Sequence, residues 1–553
     1  MTPLDYRANS GPDRVRRIGA HMKYLFGKDC RTRTAIQVSI AAVVVLTCST
    51  LGALPVGIAG ATTGASTWIE QNTASSPSGG WGSLVFDPDT GQLVLFGAQV
   101  STGPLADTWN WNGSNWTQLH PAASPLPRYA ESMAYDPATH QLLMFGGFTF
   151  GYGPFGALCD TWTWSGSTWT QLSPATSPPA RYGASMTFDA ATGQLLLFGG
   201  VNGSDFNDTW TWSGSTWTQL SPATSPPARD NASMAFDSAT SQLVLFGGAH
   251  SSGDLGDTWT WDGSNWDSVT PSTSPPARAI SPLVFDSSTN QLMLYGGSTP
   301  AGYLGDTWTW DGSTWTEQSP TASPAARSVA YMADDPGTHQ VVISAGYGNS
   351  GFVYDTWIYA TAPGAPDVGA ATASFGQASV SFAPPTLSGG VPTTQYTVTA
   401  SDLTNPARGN QQASGASSPI SVAGLTAGDA YFFTVVATNV VGTGPSSATS
   451  NTVTPPLIAV ATTTMPSGQA GFTYFGSLAA EGGNPPYRWK IASGSLPNGI
   501  KLNKSTGVIS GKTKQTGTIT FTVEVLDTKT KRSKVRPPTQ NTATAQLSIT
   551  IAP

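Results

Sequence analysis

The central part of the chain alternates short apolar runs with turn residues. In one unit, residues 184–188 and 194–198 form two such runs, and the second is apolar on both faces. Residues 208–212 follow with an aromatic at every second position, which is the periodicity of a strand, and residues 216–220 come after a Ser-Gly-Ser turn. The pattern predicts four strands per unit, here called A to D, with strand B buried on both faces.

The unit recurs six times. The triplet Asp-Thr-Trp begins at residues 107, 160, 208, 257, 306 and 355, with spacings of 53, 48, 49, 49 and 49. Strand B ends in Phe-Gly-Gly or a variant of it. A period near 50 with a Gly-Gly doublet and a following Trp resembles the kelch repeat, which implies a β-propeller.

The two ends of the repeat array complement each other. Residues 66–70 look like an isolated strand D, whereas the sixth unit ends after its strand C at residues 355–359. We therefore expect the segment from Trp68 to Gln71 to complete blade six. Such closure removes two exposed sheet edges.

Two further modules follow the repeats. Residues 361–456 resemble a bacterial fibronectin type III domain through segments 380–385, 389–398, 425–431 and 437–442, and Tyr431 would be its tyrosine corner. Residues 457–553 resemble an Ig-like module of bacterial surface proteins through segments 482–489, 496–500, 506–511 and 521–525. The expected fold class is all-β: a six-bladed kelch propeller (66–360) followed by two Ig-like β-sandwiches.

The first 61 residues read as an export signal. Eight basic residues lie within positions 1–34, an apolar run covers 35–61, and Ala59-Gly60-Ala61 has the form of a cleavage site. The alternative is an uncleaved membrane anchor, because the run is long enough to span a bilayer. Either way we expect a secreted or cell-surface protein whose only membrane contact is this segment.

The amino-acid composition argues against several classes of protein. Only 10% of residues are charged, while Gly and Pro number 61 and 42, which argues against a coiled coil or a helical enzyme. The net charge of −7 argues against a nucleic-acid partner. Cleavage at residue 61 would leave Cys159 as the one cysteine, so we expect no intramolecular disulfide, and we expect a monomer.

Most aromatic and basic residues of the repeats have structural explanations. Seventeen of the 19 Trp fall at repeated positions, which favours packing between blades over sugar stacking. The five arginines of the propeller share one repeat position, and strand direction places each beside the Asp of Asp-Thr-Trp. The predicted bidentate pairs are Arg128–Asp160, Arg181–Asp208, Arg229–Asp257, Arg278–Asp306 and Arg327–Asp355. The alternative is a basic ring at the channel mouth that binds an anion, although 23 acidic residues oppose it.

The repeat breaks in units one and two. Unit one has Gly79 in place of the arginine, which leaves Asp107 without that partner. Unit two has a twelve-residue B–C loop, 148–159, on the arginine side of the ring. Loops that vary on a repeat scaffold are typical binding sites. The hypothesised ligand-binding residues are Phe148, Phe150, Tyr152, Phe155, Arg128 and Arg181. The alternative for the loop is a hydrophobic flap over a blade edge.

A second hypothesised site is electrostatic. The last module has 11 basic and three acidic residues. Five of the basic residues fall in one predicted loop: Lys529, Lys531, Arg532, Lys534 and Arg536. Such a loop would bind an anionic envelope polymer; the alternative is a solvated loop.

We identify no catalytic residue, metal site or cofactor in the sequence. Galactose oxidase and its relatives also join a kelch propeller to β-sandwiches, and Cys159 near Tyr152 is similar to part of their copper site, but no Tyr-His pair accompanies them. Residues 309–315 resemble the Asp box of sialidases with one residue missing. Glycoside hydrolysis needs paired carboxylates, for which Asp230, Asp254 and Glu131 are candidates.

The sequence therefore favours an exported modular binding or adhesion protein. Its partner would be an extracellular glycan, an envelope polymer or a protein, recognised through the propeller face. One alternative is an extracellular carbohydrate-active enzyme, glycoside hydrolase or galactose-oxidase-like, with a fibronectin type III accessory domain. Another is a purely structural component of a surface layer.

Overall fold

The structure is a computed structural model that describes residues 65–151, 156–529 and 540–553. Their regular secondary structure is β, apart from one 3-10 turn at Pro406–Arg408. Contacts divide the chain into two compact units, and the boundary along the chain lies between Ala360 and Thr361. No helix among the described residues is long and apolar enough to cross a membrane, and the N-terminal segment expected to direct export lies outside them.

The first unit contains six antiparallel sheets arranged as propeller blades. Blade one consists of β2 (Ser83–Asp87), β3 (Gln92–Val100), β4 (Gly103–Trp111) and β5 (Trp116–Leu119). Blade two consists of β6 (Ser132–Asp136), β7 (Gln141–Phe145), β8 (Thr161–Trp164) and β9 (Trp169–Leu172). Blade three consists of β10 (Ser185–Asp189), β11 (Gln194–Phe198), β12 (Thr209–Trp212) and β13 (Trp217–Leu220).

Blades four to six repeat this order. Blade four consists of β14 (Ser233–Asp237), β15 (Gln242–Phe246), β18 (Thr258–Trp261) and β19 (Trp266–Val269), with a small hairpin of β16 (Ala249–His250) and β17 (Gly253–Asp254). Blade five consists of β20 (Leu283–Asp286), β21 (Gln291–Thr299), β22 (Gly302–Trp310) and β23 (Trp315–Gln318). Blade six consists of β24 (Arg327–Ser328), β25 (Tyr331–Asp335), β26 (Gln340–Gly348), β27 (Gly351–Thr361) and β1 (Ser66–Gln71).

The first strand of the described chain belongs to the last blade. β1 is hydrogen-bonded to β27 and supplies the outer strand that the sixth unit lacks. The A strands are neighbours around the central channel, and blade one contacts blade six there. The ring is therefore closed by strands from both ends of the repeat array, and neither sheet edge at the junction is left unpaired.

The blades are held together by buried aromatic and aliphatic side chains. Strand B is buried on both faces, as in β11, where Leu195 to Phe198 are all buried. The outer Trp of each blade is buried as well, and its indole N–H donates to the strand C Thr of the preceding blade at 2.9–3.1 Å. These pairs are Trp68–Thr307, Trp116–Thr356, Trp169–Thr108, Trp217–Thr161, Trp266–Thr209 and Trp315–Thr258. The repeated Trp residues thus pack between blades, as the sequence predicts.

The A–B turns explain why dissimilar residues interchange at one repeat position. Asp136 ends strand A and caps its own turn: Oδ1 accepts from the Ala138 N–H and Oδ2 from the Thr139 hydroxyl. The last turn residue has a positive φ, between 55° and 70°. The residues at this position are Gly91, His140, Gly193, Ser241, Asn290 and His339. His140 and His339 therefore stand at an exposed turn position whose shared property is its left-handed backbone conformation.

The second unit begins with a sandwich of two three-stranded sheets. One sheet contains β28 (Asp367–Ser374), β29 (Gln377–Ala383) and β32 (Ile420–Ala423), and the other contains β30 (Gln395–Asp402), β31 (Gln412–Gly415) and β33 (Tyr431–Thr438). Phe382 and Tyr396 pack in its core with ring centroids 4.8 Å apart. The Tyr431 hydroxyl accepts a hydrogen bond from the Thr426 N–H at 3.0 Å, so the predicted tyrosine corner is present.

The last module is a second sandwich built around Trp489. Its largest sheet contains β35 (Gly468–Gln469), β42 (Thr542–Ala552), β41 (Gly517–Leu526) and β38 (Arg488–Gly494). The other strands are β34 (Ile458–Val460), β36 (Thr473–Ser477), β37 (Ala480–Gly482), β39 (Ile500–Leu502) and β40 (Val508–Lys512). Trp489 packs with Phe521, Val523 and Ile549 between the sheets.

Candidate functional site

The five predicted arginine–aspartate pairs all form on one side of the propeller. In blade two, Arg128 Nη1 and Nη2 donate to the two carboxylate oxygens of Asp160 at 2.6 and 2.8 Å. Nη1 also donates to the Gly146 carbonyl, and Nε donates to the Leu126 carbonyl. The same pattern recurs in blades three to six, with the arginine side chains fully buried and the aspartates 16–32% exposed.

These pairs are buried salt bridges that connect strand C to the segment preceding strand A. Burial by itself would raise the pKa of Asp160, but the hydrogen bonds and charge of Arg128 outweigh it and hold that pKa below its usual value. Trp162 Nε1 donates to the same carboxylate at 2.7 Å.

The arginines are consequently closed to a ligand. Arg128 and Arg181 both have fully buried side chains, and the Arg181 guanidinium lies 4.2 Å from the centre of the Phe206 ring. The structure therefore assigns these two residues, proposed from sequence as ligand contacts, to the structural alternative. It also forms no basic ring at the channel mouth. The propeller sequence has no lysine, so the described part of this unit presents no free ammonium or guanidinium group.

Blade one differs because Gly79 replaces the arginine. A Cβ at Gly79 would collide with the Gln99 carbonyl oxygen, and the backbone there has φ +86°. Asp107 accordingly has no arginine partner in the part of the chain that the structure describes. Tyr331 of blade six lies on this side, fully buried, with its hydroxyl 3.3 Å from the Ser78 carbonyl.

The B–C loop of blade two forms the centre of an aromatic cluster. The Phe148 ring lies 5.0 Å from Tyr129, 5.3 Å from Tyr182 and 5.6 Å from Phe150, between ring centroids. Trp81 extends the cluster into blade one at 5.9 Å from Tyr129. Phe150 is 62% exposed. The cluster therefore spans the arginine side of blades one to three and presents an apolar ring to solvent.

Two of the four loop aromatics chosen from the sequence, Phe148 and Phe150, meet in this cluster. The other two, Tyr152 and Phe155, lie outside the described residues. Sequence reasoning missed Trp81, Tyr129 and Tyr182. Trp81 is one of only two Trp outside the repeated positions, and each Tyr directly follows a repeat arginine, so both signals were present in the chain.

Carboxylates continue this surface beyond Tyr182. Burial and then the charge of Asp205 raise the pKa of Asp230 to about 7, and Asp254 adds to the effect. Burial likewise raises the pKa of Asp205, whose Oδ2 accepts from the Ser251 N–H. Asp230 and Asp205 together raise the pKa of Tyr182 beyond the effect of its burial. The aromatic cluster thus borders an acidic patch on blades three and four.

The channel opens between six residues with left-handed backbone. They are Trp81, Ala130, Gly183, Asn231, Ile280 and Val329, with φ between 51° and 70°. Five of them donate their N–H to the carbonyl of the corresponding residue in the preceding blade, at 2.6–3.1 Å. This circular set of backbone hydrogen bonds surrounds a cavity of about 160 Å³, and a second cavity of about 230 Å³ lies deeper among the A strands. Both are below the usual size of a small-molecule site.

Cys159, the basic loop and a possible metal site are the remaining features considered from the sequence. Cys159 is free and exposed. Lys529 is exposed at the start of the basic loop, whereas Lys531, Arg532, Lys534 and Arg536 lie outside the described residues. Within residues 65–151, 156–529 and 540–553, no three His, Cys, Asp or Glu side chains come together as a metal site.

Comparison with known families agrees with this architecture. Residues 158–276 match the KLHDC2/KLHL20/DRC7 Kelch-repeats domain, residues 362–453 match the fibronectin type III domain, and residues 455–552 match the family described as "Putative Ig domain". Among solved structures, one titled "Structure of YjhT" is 16% identical over 52% of this chain and 96% of its own, with a TM-score of 0.41. No curated protein matches significantly. The chain thus combines kelch repeats with a fibronectin type III and an Ig-like domain, which indicates a modular, protein-binding type of architecture.

Proposed function

We propose that this is an exported modular binding protein that recognises an extracellular glycan or protein through the aromatic cluster on its propeller. The observation that carries the proposal is the exposed Phe150 ring, held at 5.6 Å from Phe148 among Tyr129, Tyr182 and Trp81. An exposed aromatic ring that is held in place by a cluster of other aromatics is a typical anchor for sugars and protein side chains.

The electrostatics of the same side restrict the ligand. The arginines are buried and paired, and the acidic patch of Asp205 and Asp230 borders the cluster. Anionic ligands would meet repulsion there, and neutral or positively charged ligands would not. The expected ligand of the propeller is therefore not an acidic polymer. An anionic envelope polymer would instead be held by the basic loop at 529–536 of the last module.

A binding screen with the unmodified chain and two variants tests the proposal. The purified chain is screened against neutral, acidic and basic glycans and envelope polymers at low and high salt. Phe150→Ala should lose propeller binding by about tenfold or more. Phe472→Ala is the matched control, because this Phe is 64% exposed on the last module. Binding that survives Phe150→Ala and disappears in salt would place the interaction on the basic loop instead.

A second candidate, glycoside hydrolysis, is favoured by Asp230. A carboxyl with a pKa near 7 beside other carboxylates is suited to general acid catalysis. Release of reducing sugar in the same wells, abolished by Asp230→Asn and retained by Phe472→Ala, would replace the binding proposal with this one.

A further inference from the structure

Glu131 breaks the repeat at the channel wall. The equivalent positions of the other blades hold small residues: Gly82, Ala184, Ala232, Ser281 and Ala330. Glu131 lines both channel cavities and is only 5% exposed. Its Oε1 accepts from the Ser83 N–H at 3.0 Å, whereas its Oε2 is buried without a hydrogen-bond partner. A buried carboxylate oxygen without a protein partner is costly, so Oε2 is placed to accept from a donor that enters the channel.

The surrounding serines offer acceptors. The hydroxyls of four A-strand serines each donate to a backbone carbonyl of the next blade: Ser83 to Glu131, Ser132 to Ala184, Ser185 to Ala232 and Ser233 to Ser281. Each proton is therefore committed, and each serine oxygen keeps lone pairs. No Lys, Arg or His lines either cavity. The lumen thus combines one carboxylate with a ring of hydroxyl acceptors, which is complementary to a positively charged donor.

The identity of the donor follows from ligand number and size. Calcium and magnesium sites usually use several carboxylate or carbonyl oxygens, and no group of three acidic, His or Cys side chains occurs among the described residues. An ammonium group has three N–H donors and one charge, which match one carboxylate and neighbouring hydroxyl oxygens. Glu131 and the four serines line the deeper cavity of about 230 Å³, which is large enough for an ammonium group at the end of an alkyl chain.

We propose that the propeller channel, just inside its mouth, binds a primary ammonium group through Glu131 and the adjacent serine ring. This inference does not rest on Phe148 or Phe150, because the channel wall shares only Trp81 with the aromatic cluster.

Burial makes the site sensitive to pH. It raises the pKa of Glu131 to about 8, against the opposing effects of its own N–H, the charge of Arg128 and the Ser83 N–H. Tyr331 is the other titratable group whose charge couples to Glu131. The Glu131 carboxyl therefore keeps its proton at neutral pH, and an entering ammonium displaces this proton. Binding should release a proton and tighten as pH rises from 6 to 9, while an alkylamine remains charged.

Calorimetry with n-butylammonium in amine-free buffers tests the site. The full chain should bind the amine more tightly at pH 8.5 than at pH 6, with proton release, and should not bind 1-butanol. Glu131→Ala should weaken binding at least tenfold, as should Glu131→Gln. Alanine already occupies this position in three other blades, so Glu131→Ala is expected to fold.

Two controls separate this site from the propeller face. Phe150→Ala should leave amine binding unchanged, so failure of the aromatic proposal would not affect this one. Glu317→Ala removes an exposed acid of an outer strand and should also have no effect. Equal binding by Glu131→Ala and the unmodified chain would overturn the proposal, as would no binding up to about 10 mM amine.

Discussion

The indole Nε1 of Trp68 donates a hydrogen bond to Thr307 Oγ1 at 3.1 Å, across 239 residues of sequence. Trp68 is 1% exposed and lies in β1, whereas Thr307 lies in β22 of blade five. The same Trp–Thr contact joins each of the other five pairs of adjacent blades. The contact that closes the ring is therefore chemically identical to those within it, although it alone joins the first strand to the last blades.

Removal of this hydrogen bond should destabilise the ring measurably. Trp68→Phe keeps much of the packing and should cost about 1 kcal/mol, because it leaves the buried Thr307 hydroxyl without its donor. Urea denaturation of Trp68→Phe, Thr307→Val and the double variant forms a double-mutant cycle. We expect a coupling energy of about 1 kcal/mol. A coupling energy near zero would mean that the contact contributes nothing to closure.

The arginine pairs should be far more costly to break than the unpaired carboxylate of blade one. Asp208→Asn leaves the buried guanidinium of Arg181 without its counter-charge and should cost about 3 kcal/mol in unfolding free energy. Asp107→Asn is the matched control, since Gly79 stands where the arginine would be, and it should change stability by less than about 0.5 kcal/mol. Equal losses in the two variants would contradict the structural role of the pairs.

The same comparison has a defined pH dependence. The folded-state pKa of Asp208 is held below its usual value: burial raises it, and Arg181 outweighs burial. The stabilisation is therefore present above the unfolded pKa near 4 and is lost as pH falls through the folded pKa. The difference in unfolding free energy between Asp208→Asn and the unmodified chain should shrink as the pH falls from 5 toward 2.

Asp334 of blade six should have the opposite dependence. It stands where the other blades have Phe or Tyr, and burial and then the charge of Asp286 raise its pKa to about 7. A raised folded pKa means that stability present below the unfolded pKa is lost as pH rises toward 7. Asp334→Asn keeps an acceptor for Ser287 and avoids ionisation.

Asp334→Asn should therefore stabilise the propeller by roughly 2–3 kcal/mol at pH 8 and by little at pH 4. Urea denaturation at the two pH values measures the difference. The exposed Asp267→Asn should be neutral at both. A gain for Asp334→Asn that is the same at pH 4 and pH 8 would rule out ionisation as its cause.

The tyrosine corner of the fibronectin type III module offers a local test. Tyr431→Phe removes the acceptor of the Thr426 N–H and should lower the stability of this module by about 1–3 kcal/mol. Tyr396→Phe in the same core is the control. Calorimetry of the full chain should show one transition moved by Tyr431→Phe, with the propeller transition unchanged. A shift of every transition would mean that the effect is not local to the corner.

Much of the fold was predictable because it repeats. Six copies of one pattern specify the strand order, and direction along strands A to C was enough to pair each arginine with the right aspartate. The orphan strand at Trp68 could be placed because a ring without it would leave an unpaired edge. For the candidate site, however, the repeat pattern was misleading. It singled out Arg128 and Arg181 as ligand contacts, and their side chains are completely buried.

The deviations from the repeat could be listed from sequence but not placed in space. Phe148 and Phe150 were identifiable as loop aromatics, but their contact with Tyr129 and Tyr182 depends on how adjacent blades converge. Glu131 was only one of several acids. Its buried, unpartnered oxygen depends on the circular arrangement of six A strands around the channel.

By itself the sequence determined the fold class, the module order and the internal ion pairs, because periodicity and strand polarity are local properties that survive in one dimension. Tertiary structure alone decided which groups remain accessible. Packing between blades removes the arginines from solvent, brings aromatics of three blades into one cluster with an exposed Phe150 ring, and places a single glutamate in the channel wall. Those are consequences of long-range packing, which residue spacing does not encode.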